Sequence, residues 1–578
     1  MLTRRRVLSL VAIILVAALA WTIWLAVQTA RDLRNAEQAM DRIRSAVSSG
    51  DSEARDDAIA ELATAAGAAR ERTAGTWWSA LTLVPFVGDD VGGIQDLSAS
   101  LDMVATEAIG PLGATVDDLD SVVSNGKVDV EVIRGLEPNI DVAQAAFVSA
   151  SDIVRSRDSS GFAGVFKSRY DEYVTEVSSL ARDLAAAETA VEVLPRMLGG
   201  DGPRQYLLIF ENNAEIRATG GLPGSWALIK ADDGKLQMSR QGAAADFDVY
   251  ADPIGDITPA EEVLFGGEMG RFFQDPNFTP DFPRAASVFN DFWDREYPKQ
   301  PLSGVISLDV VSLSYLLEGT GSLQVGGLTL TAENAVDVLL RDVYEEPDPA
   351  KQNEVFQEVA RGVFESLTSG LQDPVAFVEA VSRSVRERRF HVSAFDDVDA
   401  TSLSGTPIEG ALQTREAPGP LVDIALNDAT ASKMSYYLRY TSEVRAQACT
   451  AGTQALEGTV VLSQTISPAD AASLPEYVTG QRAPGRDSGN QLVRVHIFGP
   501  VEGSISNIKI NGQSVAMPEV VEISGRPAVT LVVLIDSLED AVVTYSLQSG
   551  PGQDGDGLLS KTPSVVPGSS TSVIRTSC

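Results

Sequence analysis

The chain has 578 residues, more than a single hydrophobic core usually organises, so two or three folded units are expected. Hydrophobic residues make up 44% and charged residues 22% of the sequence, a composition that excludes a disordered chain. Asp and Glu total 80 against 45 for Lys and Arg, and the resulting net charge of −35 opposes binding to nucleic acid. With two Cys and two His, a zinc site built from these residue types is almost excluded.

The N-terminal residues predict a membrane anchor. Residues 1–6 contain three arginines and precede an uncharged run over 7–27, which as a helix would cross a hydrocarbon core of about 30 Å. Trp21 and Trp24 lie toward its far end, where indole rings favour the membrane interface. The arginines would keep 1–6 in the cytoplasm as a short tip and place the bulk of the chain outside it. The alternative is a signal peptide cleaved after the small residues at 18–20.

The two cysteines fit such a topology. Cys449 lies in a strand-rich region and Cys578 is the last residue of the chain. Outside the cytoplasm they can form a disulfide that ties the C-terminal tail to its domain, with two unpaired thiols as the alternative. A disulfide here would be structural.

The fold class is predicted to be multidomain, with an N-terminal transmembrane helix, an α-helical stalk, an α/β (α+β) core and a C-terminal β-sandwich. Residues 28–195 form the stalk or bundle, since apolar residues recur at spacings of three and four over 162–191. Strands interleaved with helices predict the core domain over 200–395. A polar linker at 396–420 precedes alternating short strands over 421–578, which are typical of a sandwich.

The candidate site is the segment 211–221, which joins two predicted strands and collects amides, carboxylates, an arginine and a glycine pair. The glycines allow close backbone approach or a positive φ. Arg217 could hold a phosphate through two parallel hydrogen bonds, with Glu215 fixing its orientation or binding a cation. Asn212 and Asn213 would add polar groups to a ligand site. The alternative interpretation is a buried Glu–Arg–Asn network that holds the domain together.

Several blocks resemble the bacterial domain-of-unknown-function 4012 family. They are YLLIFENNAEIRATGGLPGSWALIKADDGKL at 206–236, NFTPDFPRAA at 277–286, LSGVISLDVVSLSYLLEGTGSLQV at 302–325, LTAENAVDVLLRDVY at 330–344 and KMSYYLRY at 433–440. The resemblance implies a membrane-anchored protein of the cell envelope, of a kind seen in actinobacteria. It implies no particular activity.

The order of elements also resembles the LytR–CpsA–Psr family, which transfers glycopolymers from polyprenyl-pyrophosphate carriers. That resemblance implies that Arg217 and Arg240 meet the pyrophosphate and that Asp246 or Asp248 holds Mg²⁺. Lys351 would stand in for the arginine of that family's closing Arg-Gln pair, where it makes a less exact clamp. The Pro-Arg-Asp block of that family is absent here.

The expected function is binding in the cell envelope, of a glycopolymer, a lipid-linked precursor or another envelope protein, with no cofactor required. The alternative is a phosphotransferase of the LytR–CpsA–Psr kind, which would use Mg²⁺. His391 and His496 lie in strand-like segments and are predicted to be structural.

Overall fold

The computed structural model describes residues 4–85, 87–124, 126–345, 349–414, 417–480 and 488–578. The chain forms two compact units. The first runs to Val122 and resumes over Asp129–Pro195, and the second comprises Val123–Val128 and Arg196–Cys578. The fold mixes helices and sheets.

The first unit is built from helices, and alanine dominates its core. Its helices are α1 (Arg4–Ser49), α2 (Ser52–Thr73), α3 (Thr76–Leu81), α4 (Gly88–Met103), α5 (Ile109–Val122), α6 (Val130–Arg155) and α7 (Gly164–Met197). Asp51 and Asp129 cap the N-termini of α2 and α6 through their carboxylates. Small buried side chains such as Ala39, Ala66 and Ala143 let the helices approach closely.

Helix α1 corrects the predicted anchor. It begins at Arg4 and continues without a break to Ser49, well past the expected end of the span. Trp77 Nε1 donates to Thr22 Oγ1 at 3.1 Å and Leu25 is buried, so this part of the helix packs against its own unit. Among the residues described, no helix is both long and apolar enough to span a bilayer.

The transmembrane helix predicted at 7–27 is therefore not supported, and neither is the single-pass location in the cell membrane that was inferred from it. Of the predicted tip at 1–6, residues 1–3 lie outside the described part of the chain.

The second unit contains a central mixed sheet. Its strands are β3 (Arg204–Asn212), β4 (Leu222–Asp232), β5 (Lys235–Ala243), β6 (Gly304–Asp309) and β9 (Phe390–Ala394), in the spatial order β5-β4-β3-β6-β9. Strands β3 and β6 are parallel and the other neighbours are antiparallel. Two small hairpins accompany it: β1 (Val123–Ser124) with β2 (Lys127–Val128), and β7 (Leu323–Val325) with β8 (Leu328–Leu330).

Helices lie between and after the later strands of the central sheet along the chain. They are α8 (Pro259–Phe265), α9 (Phe282–Glu296), α10 (Val310–Thr320), α11 (Ala335–Leu340), α12 (Pro349–Ser369), α13 (Pro374–Arg386) and α14 (Asp397–Leu403). Helix α9 brings Phe289 and Trp293 against Trp226 of β4, in an aromatic core. Helices α10 to α12 pack into a separate aliphatic core that includes Leu308. Helix α14 lies within the stretch 396–420 that was predicted as a linker.

Two further sheets supply the third core of this unit. One has the order β16-β17-β13-β10-β19-β20 and the other β11-β12-β18-β14-β15. The strands are β10 (Leu421–Asp428), β11 (Leu438–Thr450), β12 (Thr453–Gln464), β13 (Gln491–Phe498), β14 (Ser504–Ile510), β15 (Gln513–Ser514), β16 (Val521–Ile523), β17 (Arg526–Ile535), β18 (Asp540–Gln548), β19 (Gly557–Lys561) and β20 (Thr571–Ile574). Short helices α15 (Pro468–Ser473) and α16 (Glu476–Thr479) follow β12. Inward residues of both sheets, such as Val460 and Val495, fill one core.

Both histidines are buried, which agrees with the structural role predicted for them. His391 stacks on Phe282 with ring centroids 5.1 Å apart. His496 Nε2 accepts a hydrogen bond from Asn427 Nδ2 at 2.9 Å, and its Nδ1 lies 2.8 Å from Thr530 Oγ1. Burial lowers the pKa of each imidazole to about 3, so both are neutral structural groups.

The predicted disulfide between Cys449 and Cys578 is confirmed, with the two Cα atoms 5.0 Å apart. Replacing both cysteines with serine is expected to lower the free energy of unfolding by about 2–4 kcal/mol, because the unfolded chain regains the entropy of a long open loop. Urea denaturation of the oxidised protein measures the loss. Reduced wild type is the control and should match the variant. An unchanged unfolding midpoint in the variant would contradict this expectation.

Candidate functional site

The segment 211–221, here called the signature loop, connects β3 to β4 and is enclosed by residues far along the chain. Ser435 N donates to Ala214 O at 3.0 Å, and Asp428 N donates to Ile216 O at 2.9 Å. Ala218 N donates to the side-chain oxygen of Asn427 at 2.9 Å. The loop therefore fills the space between the central sheet and the sheet that contains β10.

The glycine pair of the loop is required by its geometry. Gly220 has a φ of +146°, and a Cβ atom on Gly221 would overlap the backbone of Asn212. Residues with a Cβ atom rarely adopt such a φ, and they would clash at such a close backbone approach. The close backbone approach expected from the sequence is thus observed, and it serves the loop's own packing.

Glu211 is the buried acid of the loop. Its carboxylate accepts hydrogen bonds from Thr219 Oγ1 at 2.8 Å, from Gly221 N at 3.3 Å and from Asn277 Nδ2 at 3.5 Å. Burial, reinforced by the nearby charge of Asp309, raises the pKa of Glu211 to about 7, although the hydrogen bonds oppose the shift. Close to neutral pH this side chain is therefore partly protonated.

Asn213 belongs to a chain of buried polar groups. Its Nδ2 donates to Asp309 Oδ2 at 2.8 Å, and Arg389 donates to the same oxygen at 2.8 Å. Arg389 also donates to Glu387 Oε2 at 2.8 Å and to the carbonyl of Val566 at 3.0 Å. This chain of hydrogen bonds links the signature loop, through Asp309 at the end of β6 and Arg389, to the C-terminal tail.

Arg217 is buried next to a second acid of the site, Asp275. Its guanidinium contacts Asp275 Oδ1 at 3.4 Å, donates to Ile216 O at 3.1 Å and lies 4.8 Å from the ring centroid of Phe278. The residue is only 5% exposed, so a phosphate could reach it only by displacing this packing. Burial raises the pKa of Asp275 to about 6, against the opposing charge of Arg217.

Of the remaining residues proposed for pyrophosphate and metal, Arg240 and Asp246 contact other groups. Arg240 is exposed and lies 4.5 Å from the ring centroid of Tyr297. Asp246 accepts a hydrogen bond from Ala243 N at 2.8 Å, and Asp248 is exposed. Lys351 is exposed near the start of α12. Across the described ranges no group of three or more His, Cys, Asp or Glu residues is placed to hold a metal ion.

The loop's outer side chains meet a cluster of tyrosines that the sequence alone did not single out. Glu215 pairs with Lys433 Nζ at 2.6 Å, and this ammonium lies 5.3 Å and 5.4 Å from the ring centroids of Tyr344 and Tyr477. Asn212 Nδ2 donates to the hydroxyl of Tyr344. The structure therefore brings Asn212 and Glu215 together at one place, while Arg217 and Asn213 face the interior.

Tyr436 extends this group toward solvent. Its hydroxyl donates to Asp337 Oδ1 at 2.7 Å and accepts from Arg341 at 3.1 Å. Tyr437 packs against it edge to face, with ring centroids 5.0 Å apart. We call Tyr344, Tyr436, Tyr437 and Tyr477, with Lys433, the tyrosine cluster. Except for the buried Tyr344, these side chains are half-buried.

One signal in the sequence pointed to this cluster. Tyr344 ends one of the family-like blocks, and Lys433, Tyr436 and Tyr437 lie in another. The chain has 12 tyrosines, and a third of them belong to this cluster. The blocks are far apart in sequence, and the fold alone shows that they meet.

Comparison with known proteins identifies a family for part of the chain. Residues 201–344 match the model described as "Protein of unknown function (DUF4012)". The matched range includes the signature loop and ends at Tyr344. No curated protein matches the chain, and no solved structure matches it.

Proposed function

We propose that this chain, a member of the DUF4012 family through residues 201–344, binds a glycopolymer at the tyrosine cluster and does not transfer it. The observation that carries the proposal is the group of half-buried tyrosine rings beside paired charges at the outer side of the signature loop. Sugars present apolar C–H faces together with hydroxyl groups. Tyrosine combines an apolar ring with a hydroxyl and matches both.

The polar groups of the cluster suit hydroxyl recognition. Glu215 and Asp337 are acceptors, Arg341 is a donor, and the arginine side chain is 40% exposed. These groups already pair with one another, so they are held in fixed positions before a ligand arrives. Such preorganisation lowers the entropic cost of binding.

Binding without transfer is favoured by the position of Arg217. A phosphotransferase of the kind considered above would need this guanidinium on the pyrophosphate, and here it is enclosed with Asp275 and Phe278. Arg240 contacts Tyr297 instead.

The test is calorimetric titration of the purified full chain with soluble polysaccharides, neutral and acidic. We expect Tyr436→Ala to weaken binding of the recognised polysaccharide at least tenfold, equivalent to about 1.4 kcal/mol, because the ring and its hydroxyl are both lost. Tyr250→Ala is the matched control, since Tyr250 is also half-buried but packs on Phe292 in a different core.

Two results would count against the proposal. One is the absence of binding to any polysaccharide of the panel. The other is equal affinity in wild type and Tyr436→Ala, with the melting temperature of the variant showing that it is folded.

A further inference from the structure

The charges at the tyrosine cluster are already paired with one another. Lys433 Nζ lies 2.6 Å from Glu215, and Arg341 Nε lies 2.6 Å from Asp342. Asp337 lies 3.9 Å from Arg341 and is a third carboxylate of the same group. Each of these two cations therefore has an acid in direct contact.

One further base lies beside the cluster. Arg439 Nη1 donates to the backbone carbonyl of Tyr436 at 2.8 Å and to that of Leu438 at 2.9 Å. These bonds hold the guanidinium against the backbone where β11 begins. With Lys433 and Arg341, the bases in these described contacts equal the acids in number, so their charges sum to zero.

The acids of this group are more accessible than its ammonium. The side chains of Asp337 and Asp342 are 54% and 42% exposed, whereas that of Lys433 is 18% exposed. A ligand that arrives from solvent therefore meets two carboxylates before it meets the ammonium. The net charge of −35 on the whole chain adds a long-range repulsion of anions.

The hydrogen-bonding pattern at the outer side of the cluster matches a hydroxyl group. The Tyr436 hydroxyl donates to Asp337 at 2.7 Å and accepts from Arg341 at 3.1 Å. A hydroxyl can do both at once, whereas a carboxylate or phosphate only accepts and an ammonium only donates. The neighbouring donor and acceptor therefore favour a ligand whose polar groups are hydroxyls.

We propose that the glycopolymer bound at the tyrosine cluster is uncharged. The inference rests on the proposed function and names the class of polymer that the site accepts. An acidic polymer would place its charges next to Asp337 and Asp342, and like charges brought together at an interface oppose binding. To bind Lys433 instead, it would have to displace Glu215 and leave that carboxylate without its partner.

Polysaccharides that share a backbone and differ only in charge test this inference, by calorimetric titration of the full chain. Each acidic polysaccharide is compared with its carboxyl-reduced form, and chitosan oligomers are compared with their N-acetylated forms. We expect the uncharged form of the recognised polysaccharide to bind at least tenfold more tightly than its charged form. Its affinity should change less than twofold between about 20 mM and about 500 mM salt, because no ion pair with the ligand is involved.

The variant Asp337→Asn/Asp342→Asn tests whether the exposed carboxylates cause this preference. We expect the ratio of the affinities for the uncharged and acidic forms to fall at least threefold, because the local repulsion is removed. Glu457→Gln/Asp540→Asn is the control, since it makes the same change in net charge at exposed positions of β12 and β18. The control should leave the ratio unchanged.

The outcomes separate this inference from the proposed function. Tighter binding of an acidic or cationic form, lost in Tyr436→Ala, would overturn the inference and leave the proposed function in place. Binding of neither form of any polysaccharide would overturn both. An equal fall of the ratio in the two double variants would contradict the assignment of this selectivity to the tyrosine cluster.

Discussion

Replacing Arg389 with alanine is expected to lower the free energy of unfolding of the second unit by about 3–5 kcal/mol. The guanidinium is fully enclosed and is the shared partner of Asp309 and Glu387, each at 2.8 Å. Its removal takes away the cation paired with the buried carboxylate of Asp309, while Glu387 keeps the guanidinium of Arg383, at 3.1 Å. The carbonyl of Val566 also loses its donor, so the C-terminal tail loses one of its attachments.

Urea denaturation followed by near-ultraviolet circular dichroism measures this change. Arg445→Ala is the control, because that arginine pairs with Glu443 but is 70% exposed, and such surface pairs contribute little. A loss of less than about 1 kcal/mol for Arg389→Ala would show that the network is not a major source of stability.

Glu211→Gln is expected to remove part of the pH dependence of stability. The folded pKa of Glu211 is about 7 and its ordinary value is 4.5, so the folded state binds the proton more tightly. Stability from this group is therefore present below pH 4.5 and is lost as the pH rises through 7. At 1.36 kcal/mol per pKa unit, the wild type should lose about 3 kcal/mol from this residue over that window.

The measured quantity is the difference in unfolding free energy between wild type and Glu211→Gln from pH 4 to pH 8. Asp275 and Asp281, whose pKa values burial raises to about 6, act in the same direction but are present in both proteins and cancel in the difference. Glu262→Gln, at an exposed position on α8, controls for the loss of one carboxylate from the chain. A difference that stays constant with pH would contradict the buried, proton-binding role of Glu211.

Both predictions concern residues that hold the signature loop in place. The loop is connected to the C-terminal tail through Asn213, Asp309 and Arg389. It is connected to β10 and His496 through Asn427. The signature loop is thus buried inside the second unit and connects several of its parts. Its outer residues, Asn212 and Glu215, are the ones that reach the tyrosine cluster.

Local sequence patterns predicted secondary structure correctly where the spacing of apolar residues within a segment matched a helix or a strand. The stripe at spacings of three and four over 162–191 lies in α7, and the alternating run at the end of β17 has alternating burial from Leu531 to Ile535. The N-terminal prediction was wrong because it considered the uncharged run 7–27 alone. In the structure that run is the first part of a helix that extends to Ser49 and packs against α2 and Trp77.

By itself, the sequence determined the change from helical to strand periodicity, the pairing of its two cysteines, the structural role of its two histidines and the family of residues 201–344. Only the tertiary structure decided what each polar side chain of the signature loop does. Glu215 meets Lys433 across 218 residues of chain, and Arg217 meets Asp275 across 58. A local pattern specifies which groups are present, but burial, charge and hydrogen bonding depend on partners that only the fold brings within reach.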